Sequence, residues 1–478
     1  MVMEKRKKQY PLNAKNMFGL STMRWMVIAG SSLMTAAFMI YLTDYSGVAN
    51  AAVVATVLLT FGRVFDAAND PLQGWIMDRS PVTKIGRFKP FMLGGILVSA
   101  LAVLMLFNMP RNTPEWYKIG FLFLGYILYE TGISFQPDYA LKATMTDNPQ
   151  IREKLLVTPR IIEQFVAVPF SFFITIALIF GESFGNNHKG FSVATLLLIL
   201  PIAAIAFIGV TCIKEGPYIQ QTDNKVGMRD ILAMFKSNRP LWISQLSGII
   251  GGCVFTFVTA AVSYYIKWAY GPENFGTYSA VFGAMILLGI VTGTLLAPRM
   301  LRNTPPRNGV IICSLAQVAP LAVIYILNFI ITIPPVVFFA MIFGMMVFSG
   351  MGYIPGSMVN MECMDYNLWK LGQGMEGMVQ SISSFVSKAQ VALAGLATGA
   401  VLVVIKYDAA FYESEDFAAS GSMIPEGLLD GLALVFCLIP VVLGIVAALI
   451  MKAYPLRQDE RDCMYNELEA RRKAGEIR

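Results

Sequence analysis

Residues 63–79 read RVFDAANDPLQGWIMDR, and they follow directly on an apolar stretch, AAVVATVLLTFG. Asp66 and Asp70 stand four apart, so a helix places both carboxylates on one face, one turn above the other. Two negative charges that close repel each other, and both resist leaving water. Two carboxylates with the amide oxygen of Asn69 make a hard oxygen set suited to a monovalent cation, whose presence relieves the repulsion. A shared proton does the same. The spacing therefore predicts a coupling-ion site at Asp66, Asn69 and Asp70, for Na+ (the one metal ion expected here) or for H+.

Other charges stand where apolar residues surround them. Arg160 lies in TPRIIEQF with Glu163 and Gln164 one turn on, Lys388 lies in VQSISSFVSKAQVALAGLATG, and Glu130 and Asp138 lie along one further apolar segment. An ionisable group inside a membrane span is costly and by default marks function. The competing reading is that opposite charges merely pair and hold helices together, and it weighs most for Lys388, whose charge also suits it to replace the ion when the acids are empty. Ser381, Ser383, Ser384 and Ser387 cluster near Lys388 and offer hydroxyls to a polyol. Tyr139 and Tyr353 offer aromatic faces to a sugar ring, or plain core packing.

These residues need helices in a bilayer to hold them. The chain has 478 residues, 56% hydrophobic and 14% charged, against the roughly 25% charged expected of a soluble domain. Apolar runs of about 20 residues recur along its length. Twelve spans are expected, near 23–45, 50–77, 90–109, 117–140, 157–180, 191–213, 241–269, 276–298, 309–331, 336–358, 376–405 and 429–452. The fold class is thus an all-α polytopic membrane protein. A cytoplasmic N-tail (1–22), a six-helix bundle (23–213), a cytoplasmic linker (214–240), a second six-helix bundle (241–455) and a cytoplasmic C-tail (456–478) make up the expected domains. Lys and Arg collect in alternate loops, which places both termini in the cytoplasm, while the opposite loop 407–417, YDAAFYESEDF, is acidic. The basic, polar N-terminus does not read as a cleaved signal. Two bundles joined by a linker are the architecture of carriers that alternate access.

The net charge of +6 follows from topology and implies no nucleic-acid partner. The six cysteines are scattered without CxxC spacing and read as free thiols. The sole histidine, His188, reads as a solvated loop residue. The C-tail can form a short amphipathic helix or remain a solvated end. No nucleophile–base set, metal cluster or P-loop appears, so neither an enzyme nor an ATP-driven pump is expected.

The stretch from Arg63 to Pro90, R-x-x-D-A-x-N-D-P-x-x-G-W-x-x-D-R followed by K-x-G-R-F-K-P, resembles the signature of the glycoside–pentoside–hexuronide cation symporters, a family of the major facilitator superfamily with melibiose permease as type member. MDYNLWKLGQGMEG (364–377) with Lys388 downstream, and the Pro159–Arg160 pair, match as well. The resemblance spans the whole chain and implies the major facilitator fold in the cell membrane. It assigns Asp66, Asn69 and Asp70 to the cation. It makes Arg160, Lys388, Tyr139, Asp138, Tyr353 and Ser384 the candidate substrate contacts, and Arg63, Glu163 and Lys388 the candidate charge network. Three departures stand out. No acid lies between Met23 and Leu42, where the type member carries a sugar-gripping aspartate. Phe135 stands at its helix-four aspartate and Tyr139 at its helix-four tryptophan. Gly132 stands at a threonine that helps to bind sodium.

The expected function is symport of a glycoside, a uronide included, with Na+ or H+. No cofactor is expected, the partners are a small sugar and the lipid bilayer, and the working form is a monomer. Two alternatives stand beside it: a major-facilitator carrier of an amphipathic solute such as a lysolipid, and a non-transporting membrane sensor.

Overall fold

The computed structural model describes residues 12–110, 112–146, 148–216, 233–234, 236–271, 274–372, 375–404 and 428–474. The side chains of Arg63 and Asp66, most of the expected linker and the acidic 407–417 loop lie outside the described residues.

Among these residues the long elements are all helices. In the first half they are α1 (Ala14–Thr22), α2 (Trp25–Ala36), α3 (Ala51–Arg79), α4 (Lys89–Leu106), α5 (Glu115–Ser134), α6 (Asp138–Met145), α7 (Pro149–Val166), α8 (Phe173–Ser183) and α9 (Asn187–Cys212). In the second they are α10 (Arg239–Ala269), α11 (Phe275–Met300), α12 (Pro306–Asn328), α13 (Pro335–Leu371), α14 (Glu376–Val404), α15 (Ile439–Lys452) and α16 (Gln458–Ala474). Helix occupies most of the described part of each expected segment. Eight described helices are long and apolar enough to cross a bilayer.

Local sequence sets the starts and the breaks. Asn148 accepts the N–H of Gln150 at 2.9 Å and that of Ile151 at 3.3 Å, with Pro149 opening α7; Asn238 accepts the N–H of Leu241 at 2.9 Å, with Pro240 in the first turn of α10. Both are an Asn cap followed by a proline that has no N–H to lose. A helix, α1, precedes the first expected span, and Met23–Arg24 separates it from α2. The fourth breaks at Phe135–Pro137, because proline removes a donor and disfavours helix in the residue before it. α6 therefore begins at Asp138, where a carboxylate suits the positive end of a helix.

Contacts divide the chain into two compact units: Met1–Ser237 with Asn360–Phe385 and Met464–Arg478, and Asn238–Val359 with Val386–Cys463. In the first unit Tyr41 packs against the rings of Phe107, Phe191 and His188, at 5.1, 5.4 and 5.9 Å between centroids. Its hydroxyl accepts the N–H of Met109, and His188 Nε2 lies 3.0 Å from the Met109 carbonyl oxygen. His188 is thus a half-buried fastener and not the solvated loop residue expected, because an aromatic face lay within its reach. α5 runs so close to α4 that a Cβ on Gly132 would stand 2.6 Å from the Ser99 nitrogen. Without a hydrophobic drive between helices in lipid, such small-residue approach is what brings them together.

From Met464 onward the tail helix α16 belongs to the first unit, and it buries Met464 and Leu468. The Tyr465 hydroxyl donates to Asp365 at 3.0 Å, Trp369 Nε1 donates to Glu467 at 2.6 Å, and Arg471 donates to the Trp369 carbonyl at 2.9 Å. The amphipathic reading of the tail is the one the structure adopts.

The second unit is built around Tyr265, whose ring lies 5.5 Å from Phe338 and 4.7 Å from Phe436. Its hydroxyl donates to Asn328, which in turn donates to Asp430, each at 2.8 Å, on the wall of a cavity of about 280 Å³. All six cysteines are free, four of them buried.

Candidate functional site

α3 carries its polar residues into the interior of the first unit. Asp70 is 1% exposed, and its Oδ1 accepts the Ser134 hydroxyl at 2.8 Å from the last turn of α5. Asn69 and Gln73, also buried, lie one turn apart: Gln73 Nε2 donates to Asn69 Oδ1 at 3.0 Å and to the Thr131 carbonyl at 3.2 Å. That leaves Gln73 Oε1 buried with no hydrogen-bond partner among the described residues. A buried amide oxygen with nothing to accept costs free energy, and a small cation or a bound proton would supply what it lacks. Carboxylate, hydroxyl and amide oxygens are the donor set of hard ions. Asp66 belongs to the same helix, two turns or less away, with its side chain outside the described residues.

The second group of charges gathers around α6 and α7. Asp138 Oδ1 lies 2.6 Å from Lys142 Nζ, and both residues are buried. Arg24, at the junction of α1 and α2, reaches Asp138 Oδ2 at 3.6 Å and Glu163 Oε2 at 3.7 Å. Arg160 reaches the same Glu163 oxygen at 3.9 Å. Tyr139 follows Asp138 on α6, and its backbone N–H is accepted by Gln380 at 2.9 Å; Gln380 Nε2 in turn donates to the Ser384 hydroxyl at 3.5 Å. The first unit thus brings together Asp138 and Tyr139, Arg160 and Glu163, and Ser384 from three separate stretches of the sequence.

Lys388 and Tyr353 stand in the second unit, both half-buried. The Tyr353 carbonyl accepts the Ser357 hydroxyl at 2.8 Å. Glu130 is buried on α5. Phe135, at the break before α6, stacks on Phe91 with centroids 5.4 Å apart.

Five residues of these groups were missed by sequence reasoning: Gln73, Ser134, Arg24, Lys142 and Gln380. Gln73 had a usable signal, since it stands three and four residues beyond Asp70 and Asn69 on the same helix face. Ser134 had a weaker one in the nearby Pro137. Arg24 and Lys142 had none. Each sits at the polar edge of an expected span, where an uncertainty of a few residues decides whether a charge counts as loop or membrane.

The chain matches the family model described as MFS/sugar transport protein over residues 18–458. The glucuronide carrier protein homolog of Escherichia coli is 25% identical over 94% of this chain and 96% of its own. The isoprimeverose transporter of Lactiplantibacillus pentosus is 26% identical over 78% of this chain and 76% of its own. Among solved structures, the Escherichia coli fucose:proton symporter shares the fold, with a TM-score of 0.58 at 13% identity over 93% of this chain and 97% of that one. Bilayer-length apolar helices, buried intramembrane charge and these matches converge: the chain belongs to the MFS/sugar transport family, within the glycoside–pentoside–hexuronide cation symporters of the major facilitator superfamily.

Proposed function

We propose that this cation-coupled sugar symporter binds its coupling ion at α3, on Asp70 with Asn69, Gln73 and Ser134, with Asp66 on the same helix, and its sugar beside Arg160 and Tyr139. The protein is a multi-pass membrane carrier and not an enzyme. The observation that carries the ion assignment is the buried oxygen set, above all Gln73 Oε1, which has no hydrogen-bond partner among the described residues. A bound Na+ or H+ supplies the positive charge that lets Asp70 remain in a dry interior, and its loss makes the empty site unfavourable. Ion and sugar then favour the same state of the carrier, which is the thermodynamic content of symport by alternating access. The carrier works as a monomer, moves its solute inward, keeps both termini in the cytoplasm and takes no nucleic-acid partner.

The relatives' names cover a neutral sugar in one case and an acidic one in another, so they leave the charge of the solute open. Right-side-out vesicles under an imposed Na+ or H+ gradient test the coupling. Asp70→Asn is expected to abolish uphill accumulation while downhill exchange persists. Normal ion-driven accumulation by that variant removes Asp70 from the ion site.

A further inference from the structure

The geometry points to a second sugar-binding site, for a neutral polyol, in the cavity of about 280 Å³ that Tyr270, Asn328 and Asp430 line. Its residues belong to the ends of α10 and α12 and to the short helix Leu428–Ala433, all within the second unit. None of them is a residue of the ion or sugar sites proposed above.

The cavity forms where three elements end or begin together. Tyr270 closes α10, Phe329 closes α12, and Asp430 lies in the first turn of Leu428–Ala433. The stretches that follow the two long helices, 271–275 and 330–334, carry no Lys or Arg. Under the topology proposed above the cavity therefore lies at the outer face. Its volume, just under the roughly 300–1,000 Å³ of most ligand pockets, suits one small molecule.

The polar groups of its wall are of two kinds. The Tyr265 hydroxyl donates to Asn328, and the Asn328 amide donates to Asp430 Oδ1, each at 2.8 Å, so Asn328 and Asp430 are held in place. Asp430 is exposed and makes no ion pair among the described residues, and a carboxylate with one such bond can accept several more. The Tyr270 hydroxyl is buried and has no hydrogen-bond partner among the described residues. Its ring packs edge-on against Tyr278 and Phe338, with centroids 5.5 and 5.6 Å away, which fixes it there. A buried tyrosine hydroxyl normally has a partner, and one without it costs free energy.

These unmet demands select the ligand. Asp430 needs donors, and the Tyr270 hydroxyl needs a group that donates or accepts. Sugar hydroxyls do both, and the rings of Tyr270 and Phe329 offer a surface to the apolar face of a pyranose. A quaternary ammonium would meet Asp430 but gives the Tyr270 hydroxyl neither a donor nor an acceptor. A uronide brings a second negative charge beside Asp430 and is repelled.

The test places a reporter on the cavity wall of the full-length protein. Ile331, 49% exposed, becomes a thiol in Ile331→Cys, and its alkylation by N-ethylmaleimide is followed by peptide mass, apart from the native cysteines. Methyl glucoside, methyl galactoside and methyl xyloside are the probes, with methyl glucuronide and tetramethylammonium beside them. At least one neutral glycoside is expected to slow the alkylation saturably, and the uronide to act about ten-fold or more weakly. Asp430→Asn should raise the half-protecting concentration about ten-fold or more, and Tyr270→Phe about 2- to 10-fold. Tyr270→Phe should also leave melting without sugar level or improved, since it deletes only a hydroxyl that lacks a partner. That variant keeps the test decisive where Asp430→Asn fails to fold. No protection by any neutral glycoside, or stronger protection by tetramethylammonium, overturns the site. Protection retained in full by both variants reports sugar bound elsewhere, which overturns this site and leaves the sugar-carrier reading standing.

Discussion

Asp78 and Gly377 are 299 residues apart in the chain, yet the two carboxylate oxygens of Asp78 accept the main-chain N–H of Gly377 and of Met378, each at 2.7 Å. Those N–H groups belong to the first turn of α14, which has no intrahelical acceptors for them. The last turn of α3 therefore caps another helix, and the helix dipole adds to the attraction.

Burial, with Glu376 adding like-charge repulsion, pushes the Asp78 carboxyl from its ordinary 3.8 up to about 7, against the two N–H bonds and Arg87, which pull it down. Between those two values the native state keeps a proton that the unfolded chain has lost, so this group's contribution to stability falls as pH rises from about 4 to 7. The ionised form accepts both N–H groups fully, whereas a protonated carboxyl gives up one acceptor. Hydrogen exchange at Gly377 and Met378, corrected for intrinsic rates, should show more protection at pH 8 than at pH 6. Asp78→Asn should erase that difference and flatten the stability profile across pH 4–7 by up to about 1.4 kcal/mol per pH unit. Identical exchange at both pH values in the unaltered protein would contradict this.

Arg152 and Asp365 make a buried two-pronged pair, NH1 to Oδ2 at 2.6 Å and NH2 to Oδ1 at 3.2 Å. Arg152 Nε also donates to the Thr146 carbonyl at 2.7 Å, and Tyr465 donates to Asp365. Removing one member strands the other charge in a dry site. Arg152→Ala should cost about 3–5 kcal/mol, and adding Asp365→Asn should recover part of it. Thermal melting of the single and double variants measures the coupling, and strictly additive losses refute it.

Ser134 and Gln73 separate ion affinity from folding. Ser134→Ala deletes a hydrogen bond to a carboxylate, worth about 1.5–3 kcal/mol. Its effect should appear as an increase of about ten-fold or more in the ion concentration that half-saturates uptake. Gln73→Leu removes the orphaned oxygen and should raise that concentration too, while melting in the absence of ion stays level or improves. Uptake with an unchanged ion dependence in both variants places the ion elsewhere.

By the family resemblance Gly132 takes the place of a threonine, and its α-carbon faces the Ser99 backbone, with a Cβ reaching 2.6 Å from nitrogen and 2.9 Å from Cα. Gly132→Thr should therefore overpack the α4–α5 contact and cost about 1–3 kcal/mol without improving ion affinity. A threonine accepted with no loss of melting temperature would mean that the two helices have room to part.

Sequence alone fixed much of this molecule. Apolar runs of bilayer length gave its class, because hydrocarbon admits only helices or barrels that satisfy their own backbone. The four-residue spacing of Asp66 and Asp70 put both on one face of α3, the helix proposed to hold the ion, since period and face follow from helix geometry. Tertiary structure decided the rest. Periodicity shows which face of a helix a residue occupies and not which helix that face meets. The approach of Arg24 and Arg160 to one Glu163 oxygen, the capping of α14 by Asp78, and the return of 360–385 and 464–478 to the first unit all join distant stretches. They exist because buried charges must find partners, and in a folded chain the nearest partner is set by packing and not by sequence distance.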